Sequence, residues 1–394
     1  MVFLSILLIV FSPYLAFLPM ISIGFKAVHK NNLILRNIWN IGLFFLFIWS
    51  FLVGIINTNK ISVIASLAIL FYFFFSVYLQ NYYNTVQQIE QLFKKIMLIS
   101  VGSGIIGFIE RFKGIQYKYA WWKCLIGIYP PVSFSESYRI SGTFGNPNIA
   151  GTWYAVMVLM CFYFYKKSLK IEKIFYIVLA ALFISVLFMT ESRGAIIGLI
   201  LGMITYAYFR EDKKKMIFLI LFFTLGVILM FIFPHYFPRG EGVFTSIEDR
   251  KAIWRNCLNM FKFKPVTGWG LMGIYFADKS IYHYIRVVHG HNILITIATT
   301  LGAVGASIFV CMKLYLFKEI WFLNKQHCPL SPLLAGIEAI ILGQGLVDFT
   351  IMSPQAGIIF FGCSAIINGL AFQYKSVPLS ECVSIPFLSR AKNK

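Results

Sequence analysis

Apolar segments about twenty residues long recur from one end of this chain to the other, and they constrain its fold more than anything else in it. A helix must place roughly 20 apolar residues in a row to cross about 30 Å of hydrocarbon. Runs of that kind occupy 2–25, 38–57, 61–79, 92–110, 148–165, 174–190, 194–209, 216–234, 291–317, 333–351 and 354–373, each bounded by Lys, Arg, Asn or Pro. Only 13% of the 394 residues are charged and 59% are hydrophobic, against roughly 25% and 45–50% in soluble domains. A soluble fold, a disordered chain and a disulfide-framed secreted domain are all excluded. The expected fold class is all-α: a polytopic bundle of about eleven or twelve spans forming one integral membrane domain over 1–394. The twelfth depends on the first run, where Ser12-Pro13 and Pro19 fit either a kinked span or a re-entrant pair. No basic segment precedes that run, so it is expected to be a span rather than a cleaved leader.

Basic residues orient the bundle. The short connections 166–173 and 210–215 each carry four Lys or Arg, and short loops of that kind face the cytoplasm. Placing them inside puts two longer segments, 111–147 and 235–290, on the outer side. The larger one, 235–290, still holds eight basic residues against four acids: Arg239, Arg250, Lys251, Arg255, Lys262, Lys264, Lys279 and Arg286. The net charge of +20 thus divides into an inner part that topology explains and an outer part that it does not. The outer part suits an anionic substrate or a lipid headgroup, or else a solvated face. It does not call for nucleic acid.

Thiols and metals carry little of the pattern. The chain has neither His-Glu-x-x-His nor Cys-x-x-Cys. His289 and His291 have no acid beside them in sequence, so no metal is expected. Seven scattered cysteines form no framework, and no phosphate-binding glycine loop is present.

Five polar segments interrupt the apolar pattern. Ser141-Gly-Thr-Phe-Gly-Asn-Pro-Asn148 leads into a span. Asn146 before Pro147 is a good helix cap, and Asn146 and Asn148 are also placed to bind a sugar or phosphate. Thr190-Glu191-Ser192-Arg193-Gly194 is a tight turn. Beyond it, Gly194, Gly198 and Gly202 form a small-residue packing stripe, which would hold Arg193 rigidly, with Glu191 available to pair with it.

The segment Ser246–Lys262 reads as an amphipathic helix capped by Ser246 and Asp249, with Ile247, Trp254, Leu258 and Phe261 as its apolar stripe. Its Arg250 and Arg255 fit either lipid phosphate or a substrate diphosphate, since guanidinium binds phosphate bidentately. Lys264-Pro-Val-Thr-Gly-Trp-Gly270 follows as a turn-rich exit. His291-Asn292 then opens a span, with Gly302-Ala-Val-Gly305 nine residues on. An imidazole there can activate a hydroxyl. Asp348 stands near the outer end of its span, at a depth to orient His291 or pair with an Arg. Glu338 lies deeper and takes no role in this reading.

The order Gly-Thr-Phe-Gly-Asn-Pro-Asn, Ser-Arg-Gly, Arg-x-x-x-Trp with Pro-x-x-Gly-x-Gly, then His-Asn-x9-Gly-x-x-Gly resembles the O-antigen ligase family over residues 140–305. The resemblance implies an inverting, metal- and cofactor-independent transfer of a glycan from undecaprenyl diphosphate to a sugar hydroxyl, such as that of lipid A–core. It also implies the inner membrane as the location, with the site on the periplasmic face. Carried over by motif, Arg193 and Arg250 hold the donor diphosphate and His291 is the base. A glycan polymerase of the same family, and a proton-coupled transporter or flippase using Glu338 and Asp348, are the alternatives.

Overall fold

A computed structural model describes residues 2–12, 15–16, 18–19, 21–22, 25, 37–113, 122–123, 133–134, 137–236, 242–277 and 287–376. Its helices are α1 (Val2–Phe11), α2 (Ile38–Ile56), α3 (Lys60–Tyr82), α4 (Val86–Lys113), α5 (Pro147–Lys167), α6 (Lys170–Met189), α7 (Arg193–Phe209), α8 (Lys213–Ile232), α9 (Val243–Phe263), α10 (Gly273–Phe276), α11 (Ile293–Lys325), α12 (Ser331–Gly345) and α13 (Pro354–Ser376). Extended structure among the described residues is one two-residue antiparallel pair, Ser133–Phe134 with Ser137–Tyr138. The chain is an all-α, multi-pass membrane protein. Among the described residues, eight helices are long and apolar enough to span, and α7 adds a shorter apolar helix of 17 residues.

Asparagine punctuates the bundle. Asn37, Asn59, Asn146 and Asn292 cap α2, α3, α5 and α11, each side-chain oxygen accepting from a backbone N–H of the first turn. Such caps satisfy N–H groups that a helix start leaves unpaired. Helices α5, α12 and α13 are the most enclosed, and α8 buries none of its residues and packs on α7. The glycine stripe of α7 meets α12 backbone to backbone. A Cβ at Gly198 would lie 2.5 Å from the Ile340 carbonyl oxygen, and one at Gly202 would lie 2.8 Å from that of Gly336. Small residues permit this closeness, and the resulting van der Waals packing favours association where no hydrophobic force acts between helices.

The expected spans need correction in one place. The run 333–351 is not one helix: α12 ends at Gly345, and the chain turns through Leu346–Phe349 into a 3-10 turn at Thr350–Met352. Tertiary hydrogen bonds to this segment replace the helical ones that its apolar composition suggested. In the first run, α1 stops at Phe11, before Pro13, and much of the remainder lies outside the described residues, as do Arg239, Lys279, Arg286, Cys124 and Cys382.

Helix α11 contains a break that its motif glycines explain. Gly302 has φ 68° and ψ −172°, far from helical values. Segment 264–270 fills the gap. Trp269 N donates to Thr299 O (3.1 Å), Gly270 N to Thr300 O (2.7 Å), and Ala303 N to Pro265 O (2.7 Å). Trp49 Nε1 takes the Leu301 carbonyl at 2.8 Å. The carbonyls of Thr299, Thr300 and Leu301 and the Ala303 N–H thus find partners across the break, as the interior of a membrane protein requires. A Cβ at Gly302 would sit 2.0 Å from Val266 O, and one at Gly268 would sit 2.5 Å from Thr300 O.

Candidate functional site

The site forms where the N-terminal ends of α5, α7 and α11 meet the turn after α12. Asn292 caps α11 by accepting from Ile295 N at 3.0 Å, and its Nδ2 donates to Leu346 O at 2.9 Å. It thereby ties the start of one helix to the end of another. One residue earlier, His291 has φ 49°, a left-handed conformation that costs a non-glycine residue about 1–3 kcal/mol. Its N–H donates to His289 Nδ1 at 3.2 Å, which helps hold the turn.

That turn aims the His291 ring at Asp348, with Nδ1 and Oδ1 3.0 Å apart. Phe349 N donates to the same oxygen at 2.8 Å. Asn148 Nδ2 donates to the other, Oδ2, at 2.7 Å. Asn148 is held in turn by Arg139 Nη2 (2.8 Å) and Ser192 Oγ (3.1 Å), both donating to its Oδ1, and by Gln344 Nε2 donating to its carbonyl (3.0 Å). Buried Arg139 also donates through Nε to Thr190 O at 2.9 Å. A chain of polar groups thus runs from Arg139 through Asn148 and Asp348 to His291. With Asp348 an acceptor, the neutral form of His291 carries its proton on Nδ1 and its lone pair on Nε2.

Burial opposes the charge on Asp348, but the His291 hydrogen bond, the two imidazoles and the Phe349 N–H outweigh it and hold the carboxyl down at about 2. His289 responds in the opposite sense. Its burial, reinforced by His291 and only partly offset by Asp348, lowers it to about 4, so this ring is neutral at pH 7.

The remaining expected residues lie at graded removes from this chain. Asn146 caps α5, accepting from Asn148 N at 2.8 Å, and is itself exposed on the cavity beside His291. Arg193 is half-buried at the first position of α7, next to Ser192, while Glu191 Oε2 is buried without a hydrogen-bond partner. Arg250 and Arg255 are on α9. This helix begins at Val243, three residues before the expected cap, and Ser246 Oγ instead accepts from Arg250 Nη1 at 3.2 Å. Its buried stripe is Val243, Ile253, Cys257 and Met260, whereas Leu258 is exposed.

Cys257 anchors α9 to the His turn. Thr299 Oγ1 donates to its carbonyl at 3.1 Å, and a Cβ on Gly290 would lie 3.1 Å from its Sγ. Arg250 is two turns before Cys257 on the same face, about 10 Å along the helix. Arg255 lies on the exposed side.

Half of the Gly-Thr-Phe-Gly-Asn-Pro-Asn segment is structural. Glu110 accepts from Ser141 N and Gly142 N at 3.0 and 2.8 Å, and Thr143 bonds Ser103 and the Val10 carbonyl. Sequence reasoning passed over Arg139, Ser192, Gln344 and His289 as members of the site. Gln344 carried a visible signal, a buried amide in an apolar helix. Arg139 was one of several basic residues in a long connection and had none.

The fold also supplies the acid that His289 and His291 lack in sequence. With Asp348 they bring one donor atom each to within 4.8 Å of one another, a set that can hold a divalent ion. Both carboxylate oxygens already accept hydrogen bonds, and His289 Nδ1 accepts another, so an ion would compete with the site's own network.

Residues 178–310 match the family model described as O-Antigen ligase. The match takes in Arg193, Arg250, His291 and both motif glycines of the α11 break. No curated protein matches the chain at a significant level.

Proposed function

We propose that this membrane protein, whose residues 178–310 match the O-antigen ligase family, transfers a glycan from undecaprenyl diphosphate to a sugar hydroxyl on the periplasmic face of the inner membrane. The acceptor is a glycan such as lipid A–core. The observation that carries this reading is the hydrogen-bonded run Asn148–Asp348–His291. It supports an imidazole with a fixed tautomer at the mouth of the bundle, the arrangement a hydroxyl nucleophile needs.

In the proposed reaction His291 Nε2 removes the acceptor proton as the hydroxyl oxygen attacks the anomeric carbon. The bond from that carbon to the phosphate oxygen breaks on the opposite face, its electron pair leaves with the diphosphate, and the configuration inverts. Arg193 and Arg250 offset the negative charge growing on the leaving group. Arg255 and Asn292 border the same region, Arg255 toward lipid phosphate and Asn292 through the helix start that sets the His291 turn. No metal or nucleotide enters the scheme, because the lipid diphosphate carries the free energy.

The deciding experiment gives purified protein a labelled lipid-diphosphate glycan and a lipid A–core acceptor, with His291→Ala beside wild type and with and without a chelator. Labelled core formed by wild type, insensitive to the chelator and reduced at least 100-fold in the variant, is the expected result. Longer lipid-linked chains in place of labelled core would make the protein a polymerase. Full transfer by His291→Ala would remove the mechanism.

A further inference from the structure

Beside His291 lies a cavity of about 310 Å³, at the lower end of the roughly 300–1,000 Å³ typical of small-ligand sites. Its wall includes Phe144, Asn146, His291, Asp348, Phe349 and Gln355. Gln355, in the first turn of α13, is 2% exposed. Its Oε1 accepts from Ser353 Oγ at 3.0 Å, while its Nε2 is buried with no hydrogen-bond partner. An orphaned buried amide donor costs about 1–3 kcal/mol and so calls for a partner from outside the chain. We propose that this cavity is the acceptor subsite, and that it takes a neutral sugar ring whose hydroxyl oxygen accepts from Gln355 Nε2.

The chemistry of the wall selects the ligand. Among the described residues no Lys or Arg lines the cavity, whereas the Asp348 carboxylate does, so a diphosphate entering it would meet like charge from this wall. A sugar presents hydroxyls on its rim and C–H groups on its faces. The Asn146 and Gln355 amides and Ser353 match the hydroxyls, and the Phe349 ring, packed 5.7 Å from that of His289, offers a flat apolar surface. The cavity also touches both His291 and Asp348, where an acceptor hydroxyl has to lie to lose its proton. This assignment rests on the glycan-transfer reading and divides it spatially: acceptor in the cavity, donor diphosphate with Arg193 and Arg250, neither of which lines it.

The test measures transfer from a labelled lipid-diphosphate glycan to lipid A–core and to methyl glycosides of glucose, galactose and N-acetylglucosamine. It compares wild type, Gln355→Leu and Phe349→Leu in detergent, each first checked for a wild-type melting profile. The expected result is an acceptor KM raised tenfold or more in Gln355→Leu, and raised in Phe349→Leu, with the donor KM within twofold of wild type. An unchanged acceptor KM in both variants overturns the subsite, and so does a raised donor KM, which would place the diphosphate there instead. Wild-type protein that transfers to none of these acceptors and forms no longer lipid-linked chains would overturn glycan transfer itself, an outcome distinct from either.

Discussion

His291 and Asp348 stand 57 residues apart in the chain and meet through a 3.0 Å hydrogen bond between Nδ1 and Oδ1. The bond determines which imidazole nitrogen faces the cavity. Replacing the carboxylate with an amide keeps the shape but permits the other tautomer, with the proton on Nε2. Asp348→Asn should therefore lower glycan transfer by about 10²–10⁴-fold, as in other base–carboxylate pairs, with little loss of folding. Asn148→Ala, which frees Asp348 Oδ2 and leaves Arg139 without its amide acceptor, should cost less, on the order of tenfold. Turnover measured across pH decides the matter. A variant at full rate, with an unmoved profile, would show that the pair does not set the base.

Acid should weaken the fold in two stages. His289 is lowered to about 4 by burial, so between its ordinary value near 6.5 and about 4 the unfolded chain binds a proton that the folded one refuses. Asp348 is held at about 2. Its contribution is complete above an unfolded value near 4 and is lost as pH falls from there toward 2. Both terms have the same sign, so stability falls as pH drops below about 6.5. The Tm in detergent should be lower at pH 5 than at pH 7. In His289→Leu that difference should shrink, whereas in Asp348→Asn it should persist. A Tm unaffected by pH over this range would contradict the His289 assignment.

The elements best read from sequence were those with local causes. Runs such as 38–57 and 354–373 are helical because length and apolarity suffice, and Asn146-Pro147 marks its own helix start. Misreadings arose where a distant partner decides the outcome. Leu346–Phe349 is as apolar as a span, yet Asn292, His291 and Asn148, all distant in sequence, hold it in a turn. Ser246 resembles a cap because the spacing of a capping box also occurs within helices. The spacing from His291-Asn292 to Gly302 was visible as a pattern, but its purpose depends on segment 264–270, more than thirty residues earlier.

That dependence is testable at the two glycines. Alanine at Gly302 must take φ 68° and place its Cβ against Val266 O, and alanine at Gly268 must place one against Thr300 O. Each should destabilise by about 2–4 kcal/mol, the sum of left-handed strain and a backbone clash. Gly226 supplies the control, since nothing lies within 4 Å of a Cβ there and its position on α8 is helical. Gly226→Ala should be neutral or stabilise by up to about 1 kcal/mol. Thermal melts of the three variants separate a plugged helix break from mere small-residue packing: if Gly302→Ala melts like Gly226→Ala, the break is not required.

Glu338 stands apart from the site, in an ion pair of its own. Lys313 Nζ lies 2.8 Å from Glu338 Oε2 and donates to Ser364 Oγ at 3.0 Å, and Ser364 donates to the other carboxylate oxygen. The ammonium also sits 3.4 Å from the centre of the Phe360 ring. Three helices, α11, α12 and α13, thus converge on one buried ion pair. Removing one charge strands the other in a low-dielectric interior at about 3–5 kcal/mol, whereas replacing both with apolar groups of similar volume is often neutral or stabilising. Glu338→Leu alone should lower Tm sharply, and Lys313→Met with Glu338→Leu should restore it along with glycan transfer. A proton pathway would behave differently, because the double variant would be stable yet inactive. Measuring Tm and transfer together on the same two proteins therefore distinguishes a pair that clamps three helices from one that conducts a proton.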